Sequence, residues 1–405
     1  MPEVLYWLWL SQLPGLAAAK SLKYIERFRD IRRLYDADKH ALYEVPKHQP
    51  NEVSALMNKS LDAAKAIYDK CVSLKVNIIP LNSRLYPERL ANIYDPPVVL
   101  FVKGNLPDID SECPVAIVGT RKAGQYGLTQ SERLGFEVTD CGGLVVSGLA
   151  DGIDGASIKG ALRAEGTPIG ILGTGIDIVF PSVNERLFKE TEARGALISE
   201  YPPGFPASRH TFPARNRIIS GIALSIIVVE APLRSGSLIT AAHAREQGRD
   251  VLVLPGNADL LGFEGSNELL RDGAELITKG WDAVGRHAWR FPRGKLQQKK
   301  SVRQIVTAYP DEDDAERHTR RKAAKTEPAK PILLKIPEKA KERIAAIPIL
   351  DGDEAAVYNA LDGAMTADAI TAASDLSPNK VMVALTMLEL KGVVKNLGSM
   401  NYEKL

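Results

Sequence analysis

The sequence predicts an α/β protein built on a doubly wound parallel sheet, with a small helical domain before it and a winged helix after it. Three observations carry this. Between residues 113 and 284, apolar runs of strand length alternate with helical segments: VAIVG, LVVSG, IGILG, ALISE, LSIIVVEA, DVLVLPG and AELIT. Strands joined by crossover helices give that alternation, and the crossovers make the sheet parallel. The first six runs end in small-residue or polar turns, namely GTRKAGQYG, SGLADGID, GTGID, SEYPPG, APLRSGS and PGN. Near the carboxyl end of the chain, ILDGDEAAVYNAL, TADAITAASDL and SPNKVMVALTMLELKGVV read as three helices, and KNLGSMNYEKL as a small hairpin.

In chain order, residues 1–75 carry Leu, Tyr and Trp at helical spacing, broken at LPGL and around Pro46 and Pro50, and read as a helical domain. LPGL has a faint likeness to a helix-hairpin-helix turn, but packing alone accounts for it. Residues 76–284 are expected to hold the sheet and its N-terminal extension. From 285 to 348 periodicity fails, and basic runs (QQKKSVRQ, RHTRRKAAK), an acidic run (DEDDAE) and prolines mark a charged linker. The winged helix follows at 349–405.

Composition bounds the function broadly. The chain has 405 residues, 45% hydrophobic, and a formal charge of +2, which names no partner, because local field rather than total charge attracts an anion. Cys71, Cys113 and Cys141 lack C-x-x-C spacing, so neither a disulfide framework nor a zinc site is expected and the compartment is read as reducing cytoplasm. The opening MPEVLYWLWLSQLPGLAAAK lacks a cationic n-region and carries Glu3; it reads as a helix of the mature protein rather than a signal peptide. No later run is long enough to span a bilayer.

In doubly wound sheets ligands bind outside the carboxyl ends of the strands, near the switch in strand order. On that rim Gly119, Gly148, Gly173, Gly175 and Gly236 stand where a strand turns toward a helix, and glycine there lets backbone N–H groups point at an anion. Tight turns want glycine in any case, so the side chains on the same rim matter more. These are Arg121 and Lys122, Ser147, Arg215 and Arg217, and Ser235 and Ser237. Together they predict a polyanion site. There is no G-x-x-x-x-G-K-[ST] for ATP hydrolysis, GTRKAGQYG lacks the dinucleotide order, and there is no H-E-x-x-H. His210 and His243 are read as packing or loop residues, and no cofactor is expected.

The chain resembles the DNA-processing protein A family, also called Smf or DprA. The resemblance lies in IVGTRKAGQYG, VVSGLADGID, GILGTGIDIVFPSVNERL, LISEYPPG, FPARNRIISG, VVEAPLRSGSLITAAHAREQGRDVLVLPG and EGSNELLRDGAELI. It extends to IIPLNSRLYPERLANIYDPPVVLFVKGNL upstream and to the final winged helix. The resemblance implies a Rossmann-like sheet domain and a SAM-like N-terminal domain. It also implies sequence-independent binding of single-stranded DNA, loading of the RecA recombinase during natural transformation, no ATP hydrolysis, and a homodimer formed through the sheet domain. Three positions depart from the family habit: Asp151 where arginine is frequent, Ile158 where histidine is, and Gly124 where serine is.

The arginines of FPARNRIISG need separate roles. Pro213 suits the first position of a helix, and residues two apart point to roughly opposite sides of it. One of Arg215 and Arg217 is therefore expected to grip a phosphate while the other pairs internally with Glu200 or Glu230, and Asn216 to contact the chain or a base edge. The rival reading is a nucleotide N-glycosidase, which needs a glutamate soon after its glycine turn. SGSLITA offers none before Glu246. The winged helix, rich in Asp and Glu, is expected to serve protein contact or regulation rather than phosphate binding.

Overall fold

The structure, a computed structural model, describes residues 2–16, 18–298 and most of 352–404. The chain divides into two compact units, Met1–Asp311 and Glu312–Leu405. The first unit opens with six helices: α1 (Val4–Gln12), α2 (Ala18–Phe28), α3 (Ile31–Asp36), α4 (Lys39–Tyr43), α5 (Pro50–Leu56) and α6 (Asp62–Ser73). Asp30 caps α3 by accepting from the Arg32 and Arg33 amides, and Asp38 caps α4 through the Ala41 amide. Leu5, Trp7, Leu8, Trp9 and Leu10 bury α1, in one continuous apolar cluster with Phe101, Val115 and Ile117 of the sheet.

A nine-stranded sheet follows: β1 (Asn77–Pro80), β2 (Val99–Gly104), β3 (Cys113–Val118), β4 (Gly143–Ser147), β5 (Ile169–Leu172), β6 (Ala196–Ser199), β7 (Ser225–Val228), β8 (Asp250–Val253) and β9 (Glu275–Leu276). All seven apolar runs form strands, and they pair in parallel. One edge of this parallel sheet carries an antiparallel addition. There β2 pairs antiparallel with β6 and β1 with β2, an addition joined by short α7 (Glu88–Ala91).

The crossover helices are α8 (Gln125–Asp140), α9 (Ile153–Arg163), α10 (Glu185–Arg194), α11 (Thr211–Ile222), α12 (Gly236–Glu246) and α13 (Glu264–Arg271), with α14 (Gly280–Val284) after β9. Successive strand residues face opposite sides of the sheet. Val115 and Ile117 accordingly join the cluster under α8 and α9, while Ala116 and Val118 join the one under α11 and α12. Strand order is β1-β2-β6-β5-β4-β3-β7-β8-β9. The chain therefore winds outward from β3 to β6, then returns to β3 and winds the other way through β7. The switch point lies between β3 and β7.

The chain stays packed past the expected linker boundary at 285. A 3-10 helix spans Gly285–Arg290, Leu296 is buried in the core, and the Gln297 amide donates to the Cys141 carbonyl at 3.1 Å. The rest of the predicted linker, from 299, lies outside the described residues. Cys71, Cys113 and Cys141 are all buried. Among the described residues no helix is long and apolar enough to cross a membrane.

The second unit is a winged helix: α15 (Gly352–Ala360), β10 (Met365–Thr366), α16 (Ala367–Ser374), α17 (Pro378–Leu390), and the hairpin of β11 (Val394–Gly398) and β12 (Asn401–Lys404). Its own core includes Val357, Ile370, Leu385 and Leu388. β10 adds to the hairpin in the order β10-β12-β11.

Candidate nucleic-acid interface

At the switch point the carboxyl ends of β3 and β7 open onto a cleft of about 420 Å³, walled by the starts of α11 and α12. That volume suits a ligand the size of a nucleotide. Of the residues expected on this rim, Gly119, Arg121, Arg215, Asn216, Ser235, Gly236 and Ser237 line it. Lys122 is exposed but outside the lining, and Ser147, Gly148, Gly173, Gly175 and Arg217 are buried away from it.

Most of the expected backbone nests are already filled by the chain itself. The Gly148 amide donates to Asp154 Oδ2 at 3.1 Å, and the Gly119 amide is also directed at that carboxylate. Gly124 N–H donates to both oxygens of Glu230, at 3.2 and 3.0 Å. Glu230 thus sits at the start of α8, where a Rossmann-type domain would hold a ligand phosphate. The Gly175 amide donates to the Phe205 carbonyl at 2.8 Å. A Cβ on Gly173 would come within 2.7 Å of the Phe212 ring, so packing explains that glycine. The Ser147 hydroxyl points into the sheet and donates to Ile117 O at 2.6 Å.

The start of α12 is different. Ser235 caps the helix, its Oγ accepting from the Ser237 amide at 3.3 Å and lying 2.7 Å from Ser237 Oγ. A Cβ built on Gly236 would meet nothing within 4 Å. No neighbour in the chain requires glycine there, and Gly236 opens onto the cleft at the positive dipole end of α12.

The two arginines of α11 are both internal. The helix begins at Thr211, two residues before Pro213, and the missing Pro N–H costs nothing within a first turn. Arg217 binds Glu200 through both ends of its fork, at 2.9 and 2.7 Å, and its Nε lies 2.8 Å from Asp95 Oδ2. Burial works against its charge, but Glu200 outweighs burial and the guanidinium pKa is raised. Arg217 therefore does not reach the cleft, and its place among DNA contacts is corrected.

Arg215 points the other way, into the cleft floor, with Nη1 donating to the carbonyls of Gly148, at 2.9 Å, and Ile171. Burial lowers its pKa to about 10 against the pull of Asp154, which leaves it charged at neutral pH. Burial likewise raises Asp154, against Arg215 and the Gly148 amide. Gly148 has no Cβ because one would lie 2.5 Å from Arg215 Nη2. Asn216 contacts the chain: it accepts from Arg215 Nε at 3.3 Å and donates to Gly236 O at 3.1 Å.

The cations left for a ligand are Arg121, Arg209 and Arg234, all exposed, all lining the cleft, and none ion-paired among the described residues. Arg121 lies 4.9 Å from the centroid of the Phe212 ring, a cation–π contact that aims it across the cleft. Sequence reasoning did not single out Arg209 or Arg234, although APLRSGS contains Arg234. Their only signal was their place in loops at the carboxyl rim.

The departures fall in three settings. Ile158 is fully buried on α9, Asp151 is half-buried outside the cleft lining, and Gly124 has room for a Cβ 3.8 Å from Glu230. Glu246, the carboxylate the enzyme reading would need, ends α12 and lies 3.5 Å from His243. It is at the wrong end of the helix to reach the cleft.

A Rossmann-like sheet with an open, cationic helix terminus at its switch point, in a chain that also carries a winged helix, defines an α/β protein with a candidate anion site. Comparison with known proteins narrows this class. The family described as DNA recombination-mediator protein A matches residues 77–287, and the DprA winged helix domain matches residues 340–399. Protein Smf of Synechocystis sp. is 35% identical over 280 residues, 68% of this chain and 70% of its own length. DNA processing protein DprA of Streptococcus pneumoniae is 43% identical over 200 residues, covering 49% of this chain and 70% of that protein. The crystal structure of Streptococcus pneumoniae DprA superposes with a TM-score of 0.60 at 34% identity, over 70% of this chain and 98% of that one. The chain belongs to the DprA/Smf family.

Proposed function

We propose that this protein binds single-stranded DNA without sequence preference in the switch-point cleft and acts as a recombination mediator in natural transformation, helping RecA onto the strand without hydrolysing ATP. The observation that carries the reading is the open start of α12, with unobstructed Gly236 and, around it, Arg121, Arg209 and Arg234, which have no ion pair among the described residues. Phosphates would lie against the arginines and the helix terminus, with Arg215 supplying positive potential from below. Such contacts position a strand without reading it. The family description and the names of the relatives support a DNA-processing role, and the absence of a P-loop sequence agrees with ATP-independent binding. Self-association through the sheet domain belongs to the same reading, since two sites on one strand raise apparent affinity.

The test compares single- and double-stranded oligonucleotides of mixed sequence in gel shifts, with and without ATP. The expected outcome is single-strand preference unaffected by ATP, and log affinity falling with log salt at a slope of roughly −0.7 per phosphate engaged. Salt-insensitive binding would overturn the cleft assignment. For the mediator role, the protein should speed RecA displacement of a single-strand-binding protein. A variant unable to bind DNA that still does so would refute it.

A further inference from the structure

A second group of cations lies at the opposite rim, by the amino ends of β3, β7 and β8. Arg249 directly precedes β8, Arg89 is on α7, and Arg290 ends the 3-10 helix after α14. Arg249 Nη2 donates to the Arg89 and Gly221 carbonyls, both at 3.0 Å, while its Nε is buried with no hydrogen-bond partner. Burial lowers the pKa of Arg249, and Arg89 and Arg290 lower it further, so the three guanidinium groups lie in one another's field.

Of the nearby carboxylates, Asp110 pairs with Arg89, but none pairs with Arg249 or Arg290 among the described residues. Asp110 is 3.6 Å from Arg89 and also receives the Glu88 amide; Asp250 lies 3.4 Å from both Arg286 and His287; Glu275 binds Arg286. Among the described residues Arg249 and Arg290 form no ion pair. Beside them Trp289 is 77% exposed, and the Arg290 guanidinium lies 4.9 Å from its ring centroid.

An indole left in water forfeits a large burial gain. Set beside unneutralised arginines, it matches the way single strands are held, with bases stacking on aromatic rings and cations following the phosphates. α11 connects the two rims, running from the cleft wall to Gly221, where Arg249 docks, a distance of about 15 Å.

We propose that Trp289 and Arg290, backed by Arg249 and Arg89, form a second contact for single-stranded nucleic acid, with a base stacked on Trp289 and a phosphate on Arg290. This deepens the proposed strand binding and rests on it. A strand longer than the cleft crosses the outside of the domain and is gripped at both rims. The stacking ring favours nucleic acid over an acidic peptide, which would use the arginines alone.

The test uses the full chain and two oligothymidylates, one too short to extend beyond the cleft and one several times longer. Trp7 and Trp9 are buried and Trp281 half-buried, so Trp289 is the indole most open to a bound base. The long oligonucleotide should quench tryptophan fluorescence in the parent, and the quench should vanish in Trp289→Phe, which keeps a stacking ring and binds nearly as tightly. Trp289→Ala should weaken the long oligonucleotide on the order of tenfold, and Arg290→Ala should make its salt slope shallower by roughly 0.7. Both should leave the short one unchanged and melt like the parent. If long-strand affinity and quenching are the same in the parent and in both alanine variants, while Arg121→Ala weakens both lengths, the second contact is wrong and the cleft stands. A parent that binds neither length overturns both proposals. Quenching by polyglutamate but not by oligothymidylate would assign the rim to a protein partner.

Discussion

The starts of α8 and α12 follow neighbouring strands across the switch point, and by the logic of the fold each is an anion site. At α8 the anion is the protein's own. Glu230 accepts the Gly124 amide, and Gly127 and Gly262 lack side chains where a Cβ would fall 2.1 and 2.6 Å from the carboxylate oxygens. At α12 the cap is a neutral serine, a Cβ on Gly236 would meet nothing within 4 Å, and the arginines around it have no ion pair among the described residues. The difference teaches that glycine-rich turns mark a rim but not the vacant place on it. Substitutions of groups the chain has satisfied internally should melt the protein. Substitutions around the vacant place should weaken ligand binding at constant stability.

The largest effect is expected at Arg217. Its removal leaves Glu200 and Asp95 without their buried partner; because both carboxylates keep some solvent, the cost should lie at the low end of the buried-pair range, about 3 kcal/mol in denaturant unfolding. If Arg217→Ala keeps parental stability but loses DNA, the ion pair does not matter to the fold and the division between filled and open sites fails at its strongest point.

Glu230→Ala comes next. Leaving the Gly124 amide unsatisfied should cost about 1–3 kcal/mol. The emptied terminus should also take up an anion, so inorganic phosphate should raise the melting temperature of the variant more than that of the parent. Equal phosphate responses would mean that Glu230 is not standing in for a ligand.

These buried carboxylates also show where the sequence could be read and where it could not. The seven parallel strands and the rim were legible because apolar runs of strand length end in glycine turns. β1 and β2 were not recognised as strands: β1 is four residues ending at a proline, and pairing across to β6 is a long-range contact that no local pattern encodes. Helical geometry sends Arg215 and Arg217 to different partners, and of Glu200 and Glu230, the two carboxylates expected to pair with one of them, it is Glu200 that binds Arg217. That Arg215 would donate to the Gly148 and Ile171 carbonyls depends on how β4 and β5 converge beneath it. Asp154 and Glu230 sit in ordinary-looking motifs, and nothing local reveals that they fill the nests beside them.

On the open side, Arg121→Ala, Arg209→Ala and Arg234→Ala should each weaken single-strand binding of all sequences about equally, and each phosphate no longer engaged should make the salt slope shallower by roughly 0.7. Their melting temperatures should match the parent, because none is ion-paired among the described residues. A drop in stability without a change in slope would make these arginines structural. Gly236→Ala should be subtler: the methyl group meets nothing in the chain and alanine favours the helix, so stability should hold or rise slightly while affinity falls several-fold if a phosphate approaches the α12 amides closely. Unchanged affinity would move the strand away from that terminus.

The smallest effect is expected from ending the chain at Asp311, which removes the second unit. Each unit has its own apolar core, so the sheet unit should fold alone. The winged helix is poor in cations: Lys380 lies 3.1 Å from Asp353, and Lys404 is over the Tyr358 ring. Every cation assigned to the cleft and to the opposite rim lies before residue 311. Single-strand affinity and salt slope should therefore stay close to those of the full chain, measured on the same oligonucleotides at several salt concentrations. If the truncated protein melts normally and binds nothing, the strand is held by the winged helix, and the vacancy at α12 has some other occupant.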